Sequence, residues 1–157
     1  KHYVQMDGKA VFRFATRVMG SATKEALELA KLTTADVDLI IPHQANFRII
    51  ETAAKYLKMP LDKFMINVDR YGNTSTASIP IAAVEAFEKG RLKSGNKVVF
   101  VGFGAGLTWG ALVAEWSGPI PTKKQVHPEQ YRLFARLRSL LRRALRFIEG
   151  LLSPREL

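Results

Sequence analysis

The stretch Leu39-Ile40-Ile41-Pro42-His43-Gln44-Ala45-Asn46-Phe47-Arg48-Ile49-Ile50 changes character at its midpoint. Leu39-Ile40-Ile41 is a short apolar run stopped by Pro42, the pattern of a buried strand. From Asn46 to Lys58 the apolar residues Phe47, Ile50, Ala53, Ala54 and Leu57 recur at helical spacing. Asn46 suits the cap between the two, because its short side chain accepts a bond from a free backbone N–H of the first turn. His43 therefore falls just past a strand and just before a helix. In layered α/β folds that edge is where ligands sit.

The same alternation extends on both sides. Upstream, Val11 to Lys31 reads as a helix through Phe12, Ala15, Val18, Met19, Ala22, Ala26, Leu29 and Ala30. Downstream, Phe64 to Val68 is a second strand candidate running into the turn-rich Asp69-Arg70-Tyr71-Gly72-Asn73-Thr74-Ser75. Ser78 to Lys89 reads as a helix with Pro80 near its first turn and Gly90 closing it. Lys97 to Phe103 is a β-branched strand, Gly104-Ala105-Gly106 bends the chain, and Leu107 to Trp116 returns as another strand. Strands alternating with helices imply α/β layers.

Bulk properties narrow the function classes. The 157 residues are 47% hydrophobic, enough for a packed core and against disorder. There is no cysteine, which excludes disulfides, thiolate metal sites and a thiol nucleophile within this sequence. His2, His43 and His127 lie too far apart to suggest a metal site, so neither metal nor cofactor is expected. No apolar run reaches the ~18 residues of a membrane span, and no segment has the order of a secretory signal. A cytoplasmic setting is the expectation, and an opening Lys1 in place of Met reads as a piece of a longer chain.

Three segments could carry chemistry: the His43 segment, the turn around Asn73, and Gly102-Phe103-Gly104-Ala105-Gly106, whose small residues let a backbone N–H approach a ligand. Each alone has a plainer role: a helix-flanking His, a turn-forming Asn, a tight hairpin. In this order they gain weight. Ile41 to Ile50, Asn67-Val68-Asp69-Arg70-Tyr71-Gly72-Asn73-Thr74-Ser75, Phe103-Gly104-Ala105-Gly106-Leu107-Thr108-Trp109-Gly110 and Asp7-Gly8-Lys9-Ala10-Val11-Phe12-Arg13-Phe14-Ala15 resemble segments of the C-terminal half of the β-ketoacyl-acyl-carrier-protein synthase III family. The resemblance runs from about His2 to Trp116.

It implies a thiolase-like fold, in which two similar halves form an α-β-α-β-α sandwich and each supplies a mixed five-stranded sheet. It implies a decarboxylative condensation of an acyl-CoA primer with malonyl-acyl-carrier protein. His43 and Asn73 would stabilise the enolate, and the backbone N–H of Ala105 would serve the second oxyanion. The family has Gly at that last position, so Ala105 is a departure that keeps the donor but narrows the backbone angles. Phe12, Ala45 and Asn46 would line the substrate tunnel; Arg13, Arg48 and Lys55 would dock the acidic carrier protein, although an ordinary solvated face explains any one of them as well. The nucleophilic Cys would lie in an N-terminal half outside this chain, leaving it inactive alone. The full enzyme would be a homodimer.

Two alternatives stay open: a polyketide-type starter synthase or acyltransferase of the same family, and a non-catalytic split subunit or membrane-associated adaptor. A thiolase is disfavoured, because it would bring a second active-site Cys in this half.

The expected organisation is a half-domain over 1–117, a linker over 118–127, and a basic amphipathic helical tail over 128–157. The net charge of +10 is uneven: residues 119–157 hold nine Lys/Arg against three Asp/Glu. Phe134, Leu137, Leu141, Ala144, Leu145, Ile148 and Leu152 form one face, with Arg132, Arg136, Arg142, Arg143 and Arg146 filling much of the rest. Such a helix can lie on an anionic membrane, pack on a partner, or cover its own domain. From sequence, packing on protein ranks slightly above lipid, and nucleic acid ranks last.

Overall fold

In the computed structural model the described residues are 5–117 and 128–152. The chain divides into two units, Lys1–Gly118 and Pro119–Leu157.

The first unit is built on a sheet of order β1-β2-β3, with β1 Leu39–Pro42, β2 Lys97–Gly104 and β3 Thr108–Glu115. β1 runs parallel to β2 with Ile40 opposite Val99, and β2 runs antiparallel to β3 with Val99 opposite Val113. Side chains alternate across a strand, and the core divides accordingly. Ile40, Val99 and Val101 join helix α1 (Gly8–Leu29) and helix α2 (Phe47–Leu57) on one face, through Ala15, Met19, Ala22, Ile50, Ala53 and Leu57. Leu39, Ile41 and Val98 join Ala82 and Ala86 of helix α4 (Ser78–Glu88), with Leu92 and Met65, on the other. Covered on both faces, β1 is buried at all four positions, which is why it reads as an unbroken apolar run. α1 and α2 pack closely where Gly20 meets the Tyr56 ring; a Cβ at that glycine would overlap the ring.

The helix ends follow their caps. Asn46 Oδ1 accepts from the Arg48 N–H at 2.9 Å, as expected of it. α1 starts three residues before the apolar periodicity, because Asp7 accepts from the Ala10 N–H at 3.0 Å and the first turn is solvated. Gly90 follows α4 with φ +66°, a left-handed conformation that suits glycine.

The strand expected at Phe64–Val68 is not formed. Phe64 makes one isolated parallel bridge to Ile40, and the Met65 N–H donates to the Ile40 carbonyl at 2.8 Å. Beyond that point the Gln44 side chain takes the place of a neighbouring strand. Its amide donates to the Met65 carbonyl at 3.0 Å and accepts from the Asn67 N–H at 3.0 Å. The chain then turns into the short helix α3 (Val68–Tyr71). Among the described residues the sheet is mixed but three-stranded, where five strands were expected.

The second unit contains α5, Pro128–Leu152, the helix expected over those residues. The linker expected at 118–127 lies outside the described residues, as do residues 153–157 of the tail and the side chains of Ala144, Ile148 and Leu152.

Candidate active site

β1 ends at Pro42, and the next backbone N–H, that of His43, donates to the Val101 carbonyl of β2 at 2.8 Å. This fixes the His43 backbone at the sheet's edge. The half-buried ring meets Phe103 edge to face at 5.2 Å. Its Nδ1 lies 2.5 Å from Ser78 Oγ, at the start of α4.

The partners of Ser78 decide the tautomer. Ser78 is buried, and its Oγ accepts from the Gln44 N–H at 3.2 Å. Among the described residues the remaining bond of that hydroxyl is to His43 Nδ1. A buried hydroxyl proton needs an acceptor, so Ser78 donates and Nδ1 accepts. The ring proton is then on Nε2. Burial lowers the His43 pKa below its ordinary value, which favours the neutral ring.

Asn73 follows α3 and Gly72, whose φ of +64° turns the chain there. Asn73 Oδ1 accepts from the Ser75 N–H at 2.9 Å. With its oxygen so engaged, the amide presents its NH₂ group as donor. Both segments are tied to an ion cluster around the buried Glu85, whose partners Arg70 and Lys89 are exposed. The Asn67 side-chain amide donates to Glu85 Oε2 at 2.9 Å, Arg70 pairs with Glu85 Oε1, and Lys89 Nζ lies 2.7 Å from the same oxygen. Burial raises the Glu85 pKa, but hydrogen bonds from Lys89, Asn67 and Arg70 outweigh it and hold the pKa at about 2. Since Gln44 bonds to the Asn67 N–H, one polar chain runs from the residue beside His43 to the helix before Asn73.

His43, Asn73, Ala105, Phe12, Ala45 and Asn46 all line one groove. Its volume, ≈ 1670 Å³, exceeds what an enclosed small-molecule pocket usually spans, about 300–1,000 Å³. Phe103 and Trp109 also line it, each packed edge to face on the buried Phe14. Ala105 sits in the β2–β3 turn, where its carbonyl accepts from Thr108 Oγ1 at 3.1 Å. Arg13, Arg48 and Lys55 do not line the groove; they are exposed on α1 and α2. Arg48 lies over the Phe12 ring at 5.5 Å, beside the groove, whereas Lys55 pairs with Glu51 at 2.9 Å. Sequence reasoning did not single out Ser78, Gln44, Asn67 or Glu85. The one available signal was a carboxylate at Glu85, in helical register with core-facing Ala82.

Residues 27–116 match the model of the family described as 3-Oxoacyl-[acyl-carrier-protein (ACP)] synthase III C terminal. The chain belongs to that family. The beta-ketoacyl-[acyl-carrier-protein] synthase III of Symbiobacterium thermophilum is 56% identical over 115 residues, which are 73% of this chain and 35% of the relative. The crystal structure of synthase III from Thermus thermophilus superposes with TM-score 0.74 at 54% identity, covering 76% of this chain and 37% of that one. A priming beta-ketosynthase from the R1128 polyketide pathway matches with TM-score 0.67 at 37% identity, over 74% of this chain and 35% of its own. The chain thus spans about a third of the length of the curated relatives it matches. The fold is the thiolase-like one of these neighbours.

Proposed function

We propose that this chain supplies the C-terminal half of a 3-oxoacyl-acyl-carrier-protein synthase III. In that role it helps condense an acyl-CoA primer with malonyl-acyl-carrier protein, with loss of CO₂, to start a fatty-acid chain. The observation that carries the reading is that one groove is lined both by His43, neutral with its proton on Nε2, and by Asn73, whose amide is left free to donate.

Decarboxylation of malonyl thioester leaves an enolate whose oxygen gains negative charge in the transition state. Two preorganised N–H donors, His43 Nε2 and Asn73 Nδ2, lower that barrier. Neither gives up its proton readily, so the enolate survives to attack the acyl thioester. That attack forms a second oxyanion, and the Ala105 N–H is one of its donors. The thioester is carried by a cysteine outside this chain, which has none. Phe12, Ala45 and Asn46 flank the substrate arm. Arg13 and Arg48 meet the acidic carrier, and Lys55 does so only by leaving Glu51. The complete enzyme pairs as a homodimer.

A second reading within the family is a starter enzyme for polyketide synthesis, favoured by the likeness to the R1128 priming ketosynthase. Primer preference of the assembled enzyme separates the two. The broader test pairs this chain with a Cys-bearing N-terminal half of its family and follows malonyl decarboxylation and acyl transfer. Activity only in the pair supports the condensing enzyme. An inactive but well-formed pair supports the alternative of a non-catalytic subunit.

A further inference from the structure

Helix α5 lies beyond residue 116, where the family match ends. Its 25 residues give a rod of about 37 Å. At about 100° per residue, Phe134, Leu137, Leu140, Leu141 and Leu145 fall within an arc of roughly 140°. Arg132, Arg136, Arg138, Arg142, Arg143 and Arg146 occupy the opposite arc. All eleven of these side chains are exposed.

We propose that α5 is an interfacial helix that lies flat on an anionic lipid surface, burying its Leu/Phe face among acyl chains and setting its arginines among the headgroup phosphates. Three observations favour lipid over a partner helix. The apolar arc is wider than the narrow seam that a two-stranded coiled coil buries. Arg136 and Arg138 stand at its two borders, where long cationic side chains reach up to headgroups while their stems stay in the apolar layer. The helix has six arginines and no lysine, and its two glutamates, Glu129 and Glu149, sit near its ends. Guanidinium groups bind phosphate oxygens in bidentate fashion and are more weakly hydrated than ammonium groups. The helix lies on the membrane and does not span it: among the described residues no helix is long and apolar enough to cross.

The test is flotation of the full chain with vesicles of phosphatidylcholine alone or with about 30% phosphatidylglycerol, at about 0.1 M and about 0.5 M salt. Binding is expected only with the anionic vesicles and is weakened by salt. Replacing Arg142 and Arg143 by Gln together should weaken it about 30-fold, near 5-fold for each cation removed from the surface. Replacing Leu137 and Leu141 by Gln keeps every charge and should abolish retention. These positions are exposed on a separate unit, so the first unit's fold serves as an internal control by circular dichroism. No binding by the full chain, equal binding to neutral vesicles, or undiminished binding by either double variant would overturn the proposal.

Discussion

Ser78 Oγ and His43 Nδ1 lie 2.5 Å apart although 35 positions separate them in sequence. The contact joins the start of α4 to the end of β1 and selects the His43 tautomer. At pH 7 the ¹⁵N resonances of His43 are expected to show a bare Nδ1 and a protonated Nε2; a protonated Nδ1 would contradict the assignment. Ser78→Ala leaves Nδ1 and the Gln44 N–H without that partner. Decarboxylation by the assembled enzyme should fall about tenfold, the worth of one buried hydrogen bond. Because burial depresses the His43 pKa, its ¹⁵N titration midpoint should lie below 6.5. The unfolded chain then takes up the proton first, so this residue's contribution to stability is complete above pH 6.5 and declines as pH falls below it.

Glu85 makes a second acid-sensitive element. Its partners hold its carboxyl at about 2 in the fold, against an ordinary value of 4.5. The unfolded state binds the extra proton between those values, so the stabilisation is full above pH 4.5 and is lost as pH falls towards 2. Glu85→Gln should therefore be less stable than the parent chain at pH 7 in urea unfolding, and the difference should close near pH 2. A gap of equal size at both pH values would show that the carboxylate charge is not what matters.

Gln44 satisfies three backbone groups at once: the carbonyls of Pro42 and Met65 and the N–H of Asn67. Gln44→Leu preserves bulk but strands all three in a buried region. The expected loss is about 2–4 kcal/mol of stability, since each buried unpaired group costs about 1–3 kcal/mol and local shifts admit some water. Chemical denaturation measures it, and a loss under 1 kcal/mol, small for even one such group, would show that the network is not structural.

Gln44 also shows where the sequence was legible and where it was not. Apolar periodicity located α1, α2 and α4, an apolar run and a β-branched run with its glycine bend located the three strands, and the cap at Asn46 was read correctly, because these features depend on neighbours in sequence. Phe64–Val68 has the composition of a strand, yet a side chain 20 or so positions away supplies its hydrogen bonds, and no local pattern encodes that. The groove was legible through the family resemblance, which placed His43, Asn73 and Ala105. Their supports, Ser78 and Glu85, were not, because a serine or glutamate in a helix looks solvated until its long-range partners are known.

Arg48 lies beside the groove over Phe12, and its charge is free of any acidic partner among the described contacts. Arg48→Glu in the assembled enzyme should raise KM for malonyl-carrier protein by tenfold or so while altering malonyl-CoA turnover much less, since a rim charge acts mainly on association with a charged partner. Equal losses with both substrates would place Arg48 in the tunnel instead.

The central claim is that His43 and Asn73 act together on the malonyl enolate. The direct measurement is malonyl decarboxylation and primer loading onto the cysteine, followed separately in the assembled enzyme carrying His43→Ala or Asn73→Ala. Each substitution is predicted to slow decarboxylation about 10²–10³-fold while loading changes little. Decarboxylation at the parent rate in both variants would contradict the account.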